Sequence, residues 1–400
     1  MGGCRLKKHQ TKGAGMLDGQ KKDLSIYIHI PFCVRKCSYC DFLSAPADEG
    51  TKNKYVKALI SEIKSCRQLA AEYLVKTIFI GGGTPSSLEG QSIAMILDAV
   101  RENFDLGREK EAGPEITIEI NPGTVTRDKL RVYRKAGINR LSFGLQSADN
   151  KELRLLGRIH TFEEFRDNYR AARELGFRNI NIDLISALPG QTLNNWLQTL
   201  EKAAALEPEH ISAYGLIIEE GTPFFDSYGE EEPDEELDRQ IYARTKEYLE
   251  GAGYYRYEIS NYAKQGFVCE HNTVYWTCKE YLGLGLGAAS LLGNERFHNE
   301  EDLLTYLKYS ENYLNTRRDV KKMTEMEQME EFMFLGLRMT QGVNKKVFAG
   351  KFGRSMQEVY GAVLKRSQLE GLIKEKGGNI YLTDKGIDLS NMVMARFLLN

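Results

Sequence analysis

The sequence predicts an α/β fold: a partial (β/α)6 barrel of the TIM type, followed by a smaller, mostly helical, winged-helix-like domain. Three observations carry this. Short apolar, β-branched runs alternate with amphipathic stretches between about residues 24 and 220, at spacings of 30 to 50 residues that suit βα units of a parallel sheet. Unusual glycine- and proline-containing segments recur just after those runs. Helical patterning from Met323 onward ends in a hairpin signal. Six such units are too few to close an eight-stranded barrel, so an open one is expected.

The expected strands are Ser25–Pro31, Thr77–Ile80, Glu115–Ile120, Arg140–Leu145, Asn179–Ile185 and His210–Ile217, each rich in Ile, Leu, Tyr or Phe. Between them, Lys54–Leu74 and Thr161–Phe177 have the apolar spacing of helices. GGGTPSS (81–87), NPGT (121–124) and ALPGQT (187–192) follow the second, third and fifth strands. Ligands in parallel α/β folds sit at that end of the strands, so the chemistry is expected there. YGEEEPDEELD (228–238) reads as a solvated loop leading into a helix. In GLIKEKGGNIYLTDKG, Gly377-Gly378 supplies a two-residue hairpin turn. The expected divisions are a flexible tail at 1–22, a core domain at 23–255, a connecting region at 256–322 and the C-terminal domain at 323–400.

The chain has 400 residues, 42% hydrophobic and 28% charged, with a formal net charge of −2. That balance gives no electrostatic reason for a nucleic-acid partner, and the C-terminal segment is only mildly basic. No apolar run approaches the roughly 20 residues that span a bilayer, and no cleavable signal pattern is seen, so a cytoplasmic protein with at most peripheral membrane contact is expected. Seven cysteines, three of them within eight residues, suit a metal site in a reducing compartment better than a disulfide framework.

Those three are Cys33, Cys37 and Cys40 in IPFCVRKCSYCDF, a C-x3-C-x2-C spacing directly after a strand. One loop carrying three thiolates suits three irons of a [4Fe–4S] cubane. The competing readings are structural zinc, which usually takes two separated cysteine pairs, and incidental thiols. Arg35 and Lys36 either offset the thiolate charge or are solvated.

The run YIHIPFC…CSYCDF resembles the radical-SAM superfamily. It is similar in particular to the branch holding oxygen-independent coproporphyrinogen III oxidases and a group of haem chaperones, over Ser25 to Phe397. The resemblance implies an S-adenosylmethionine (SAM) molecule on the iron that lacks a cysteine, and an electron donor that reduces the cluster. It also implies that the turn Gly82-Gly83-Thr84 binds the SAM amino group and that Tyr27, Glu119, Gln146, Arg158 and Asp183 line the SAM pocket. Tyr39 and Ile217 match contacts with a second SAM in the oxidases. From the residues alone, the glycines could form a plain tight turn, and Glu119 and Asp183 could be buried, hydrogen-bonded strand residues.

HNTVYW at 271–276 offers His271 as an iron ligand and Tyr275 and Trp276 as flat surface for a porphyrin; a satisfied core histidine among aromatics is the plainer alternative. In the resembled family an H-N-x-x-Y-W motif marks the haem chaperones. Phe42 points the same way, standing where the oxidases continue their cysteine motif. The expected function is therefore to hold haem and deliver it to haem-requiring, respiratory membrane proteins. The alternative is decarboxylation of coproporphyrinogen III. One departure is Ala289 in YLGLGLGAAS, where the family commonly has histidine, so that His298 or another residue would have to compensate. Cys269 and Cys278 flank the motif as possible auxiliary thiols, and Cys66 reads as helix packing.

Overall fold

Alternation along KDLSIYIHI makes the first strand a barrel stave. Ile26, Ile28 and Ile30 are fully buried on the side covered by helices, whereas Ser25, Tyr27 and His29 turn to the barrel interior. The structure is a computed structural model describing residues 21–107, 113–229 and 234–399. The tail expected at 1–22 falls almost wholly outside the described residues, as does the centre of the acidic stretch.

Six strands follow the expectation closely: β1 (Lys22–Ile30), β2 (Tyr73–Gly82), β3 (Glu115–Ile120), β4 (Arg140–Gln146), β5 (Ile180–Ser186) and β6 (His210–Gly215). All pair in parallel with their neighbours. Several of the helices that cross between them start where side chains cap their amides. Asp48 accepts from the Thr51 N–H at 2.7 Å, and Thr161 forms a capping box with Glu164. The single helix expected over Lys54–Leu74 is instead Glu49–Ser65 followed by the short Arg67–Ala70. Tyr73 and Leu74 belong to β2, because YLVKTIFI alternates with period two.

Beyond residue 255 the fold holds strands that the sequence pattern does not announce: β7 (Tyr255–Arg256), β8 (Asn261–Ala263), β9 (Tyr281–Leu284), β10 (Ala289–Leu292), β11 (Glu295–Asn299) and β12 (Arg317–Lys322). β9 lies parallel against β1, with Ser25 opposite Tyr281, and extends the parallel run to seven strands. The full order is β12-β11-β10-β9-β1-β2-β3-β4-β5-β6-β8-β7, an open sheet with two free margins. Glu62, buried on the first helix, ties the β9–β10 turn to the core. Its carboxylate accepts from the Gly285 N–H (2.8 Å), the Tyr306 hydroxyl (2.6 Å) and the Asn299 amide (2.7 Å).

The C-terminal segment packs its own apolar cluster around Met333, Phe348, Tyr360 and Phe397. It carries the small sheet β13 (Val343–Asn344), β15 (Asn379–Leu382) and β14 (Ile373–Lys376), in that order, with Gly377 and Gly378 both at positive φ in the hairpin turn. This unit spans the gap in the large sheet. Glu331 and Glu327 meet Arg296 and Lys321 at one margin (2.7 and 2.5 Å), and Arg338 and Asp384 meet Glu258 and Arg256 at the other (3.6 and 3.5 Å).

Candidate functional site

After β1 the chain folds back on itself. Ala45 donates to the Pro31 carbonyl (3.0 Å) and Cys33 to the Ala45 carbonyl (3.2 Å), closing a loop that carries all three clustered thiols, each free. Cys33 is buried, and Cys37 and Cys40 are half-buried. Two of the sulfurs have donors: the Thr84 hydroxyl lies 3.4 Å from Cys33 Sγ and the Arg158 guanidinium 3.5 Å from Cys37 Sγ. Gly83 passes so close that an added Cβ would sit 3.0 Å from Cys33 Sγ and 2.9 Å from the Phe32 carbonyl. Arg35 donates to the Gly157 carbonyl at 2.7 Å. Among the described residues no three Cys, His, Asp or Glu side chains converge on a point fit for a single metal ion. A cubane instead presents separate irons to separate thiolates.

The residues expected around SAM gather at or near the carboxyl ends of β1 to β5. His29 Nε2 faces the Leu43 carbonyl at 2.9 Å, so it carries the proton and Nδ1 accepts from the Tyr27 hydroxyl at 3.0 Å. Gly82 N–H donates to Glu119 Oε2 at 3.1 Å. Burial, and then the neighbouring Asp183, push the Glu119 carboxyl up to about 8, so at neutral pH it can donate as well as accept. Burial also raises Asp183, which accepts from Ser142 (2.9 Å) and Asn181 (2.8 Å). Gln146, in a left-handed conformation (φ 70°), and Arg158 converge over Gly144, whose carbonyl accepts from Arg158 at 2.7 Å. Tyr39 packs edge-on against Phe224, and Ile217 is exposed. His29 was not among the expected site residues. Its signal was the alternation that puts it on the same face as Tyr27, two residues away.

The HNTVYW segment lies elsewhere. It forms the helix Glu270–Trp276 under the opposite end of the barrel, capped by Glu115, whose carboxylate accepts from the N–H groups of Glu270 (3.2 Å) and His271 (3.1 Å). Ser25 and Thr77 mark this level, five residues before the end of β1 and so roughly 17 Å from the thiol loop. Thr77 donates to Ser25 (2.8 Å) and therefore accepts from His271 Nδ1–H (2.7 Å), leaving Nε2 to accept from the Tyr275 hydroxyl (2.9 Å). The His271 ring stacks on Phe79, and burial followed by the Arg140 charge pushes its pKa down to about 3. Trp276 has the Arg338 guanidinium 4.3 Å over its ring. In this arrangement His271 offers iron no free nitrogen, and Tyr275 and Trp276 are half-buried. Cys269 is buried and donates to Glu115, and Cys66 is buried at a helix end.

An open parallel α/β barrel with three thiols on its first loop and a glycine turn after its second strand defines a radical-SAM protein. Residues 27–203 match the radical SAM superfamily and residues 323–389 match the HemN C-terminal domain. The chain is 38% identical to the heme chaperone HemW of Bacillus subtilis, over 94% of this chain and 99% of that protein. It is 44% identical to the heme chaperone HemW of Escherichia coli, over 66% and 69% respectively. The solved coproporphyrinogen III oxidase HemN from Escherichia coli, described as a radical SAM enzyme, superposes with a TM-score of 0.80 at 25% identity, covering 94% of this chain and 90% of that one. The chain belongs to the HemW family.

Proposed function

We propose that this protein holds haem and passes it to a haem-requiring acceptor, with a [4Fe–4S] cluster and SAM at the barrel rim governing that transfer. The observation that carries the reading is the near full-length likeness to heme chaperones in a chain that also has the HNTVYW helix. Cys33, Cys37 and Cys40 would each hold one iron, and the bound cluster would supply one-electron chemistry drawn from a reducing partner. Gly82, Gly83 and Thr84, with Gln146 and Arg158, would hold the amino-acid end of SAM. Tyr27, Glu119 and Asp183 would line its nucleoside end, and Tyr39 would border a second SAM. His271, Tyr275 and Trp276 would meet haem in a state where their helix has left the barrel foot, freeing His271 Nδ1 from Thr77. We further propose a cytoplasmic location, respiratory membrane proteins as acceptors and no nucleic-acid partner. No helix among the described residues is long and apolar enough to cross a membrane.

The test is an anaerobic titration with haem, followed through the Soret band, and then mixing with an apo-acceptor. Near-stoichiometric binding and loss of haem to the acceptor are expected. The superposition on the oxidase favours a second reading; decarboxylation of coproporphyrinogen III without haem binding would establish it and overturn the first.

Gly82 gives a sharper check on the SAM pocket. Its φ of +111° and a Cβ position 2.6 Å from the His29 ring leave no room for a side chain. Gly82→Ala is expected to weaken SAM binding about tenfold or more, measured by equilibrium dialysis, while cluster iron is retained. Unchanged affinity would remove this turn from the SAM site.

A further inference from the structure

We propose that His298 captures the haem iron in the arrangement seen here, an inference that rests on the haem reading above. Among the described histidines, His29, His160, His210 and His271 are buried, whereas the His298 side chain is 29% exposed. It stands on β11 directly opposite Ala289 on β10. Ala289 is itself exposed and has nothing beyond a methyl group, so a flat ligand can approach the imidazole from that side.

The ring is already oriented as a ligating histidine is. Nδ1 donates to the Asn299 carbonyl at 2.8 Å, the kind of hydrogen bond that fixes the ring and directs Nε2 toward a metal. Nε2 meets Asp319 Oδ2 at 2.9 Å, but that side chain is 88% exposed, and a pair of this kind is weak. As the iron–nitrogen bond forms, the Nε2 proton passes to solvent and Asp319 is released.

Apolar surface for a porphyrin lies at the turn two residues before Ala289. The thiol loop exposes Phe42 and Leu43. Leu43 packs against Gly287, beside Glu301, whose carboxylate is 3.5 Å from His298 Nδ1. Haem held here would sit at the margin of the thiol loop. His271, at the barrel foot, becomes available only once its helix moves.

The experiment titrates ferric haem into the full-length wild-type protein, His298→Gly and His298→Cys, with thermal melts to confirm folding. His298→Gly is expected to lose about tenfold or more in affinity and to shift its Soret band, and added imidazole is expected to restore the wild-type spectrum. His298→Cys is expected to give a thiolate-type spectrum, which a merely structural role would not produce. Wild-type affinity and spectrum in a folded His298→Gly would overturn the proposal while leaving the haem reading intact. Absence of haem binding by the wild type would overturn both.

Discussion

Replacing any one of Cys33, Cys37 and Cys40 with alanine is expected to drop the iron content of the anaerobically reconstituted protein from about four per chain to below about one. Among the described residues no other thiol stands near the loop. Cys66 is buried at a helix end, Cys269 is buried with its thiol on Glu115 under the far end of the barrel, and Cys278 lies next to that same helix. Two remaining cysteines hold too few irons to stabilise a cubane. Iron and sulfide analysis, with the absorbance near 400 nm, reads the result. Cys66→Ala, tested alongside, should keep its iron. Retention of a full cluster by Cys37→Ala would show that the loop is not the cluster site.

The second large effect concerns stability and comes from Glu62. Burial pushes its carboxyl from 4.5 up to about 7, even though Tyr306, Gly285 and Asn299 all donate to it and favour its charged form. An acid whose pKa is higher in the folded than in the unfolded chain binds protons more readily when folded. Its contribution is therefore fully present below about pH 4.5 and is lost as pH rises through about 7. The full swing is on the order of 3 kcal/mol. In urea melts between pH 5 and 8.5 the wild type should lose stability relative to Glu62→Gln as pH rises through neutrality; His160 and His271, which burial lowers to about 3, add stability as pH rises toward 6.5 and cancel in that difference. Glu119 contributes in the same sense, so the difference between wild type and variant isolates Glu62. An unchanged slope in Glu62→Gln would refute the assignment.

What could be read from the chain beforehand follows the physics of each segment. β1 to β6 announced themselves because Ile and Val runs buried under helices leave little ambiguity, and their ends then pointed to the glycine turn and to Glu119. β9 did not, because YLGLGLG reads as a turn; its strand character comes from lying against β1 rather than from local propensity. Tyr73 and Leu74 were absorbed into a helical pattern by the amphipathic stretch before them. For HNTVYW the residue types were legible but the location was not. Nothing local says that Glu115 will cap that helix or that Thr77 will occupy one nitrogen of His271; only the contact with Tyr275 follows from the i, i+4 spacing of the motif itself. The pairing of Ala289 with His298 likewise needs the β10–β11 register.

The place of β1 between β2 and β9 also shapes how the chain must be made. Ser25 pairs with Tyr281, 256 residues later, so one side of β1 has no partner while that intervening length is synthesised. At translation rates of roughly 5 to 20 residues per second, the wait is on the order of 10 to 50 s. Throughout it, the emerging barrel presents a bare strand edge next to the fully apolar Ile26, Ile28 and Ile30. Nascent chains truncated before residue 280 should therefore be the aggregation-prone species, and β9 is the segment whose arrival ends that hazard.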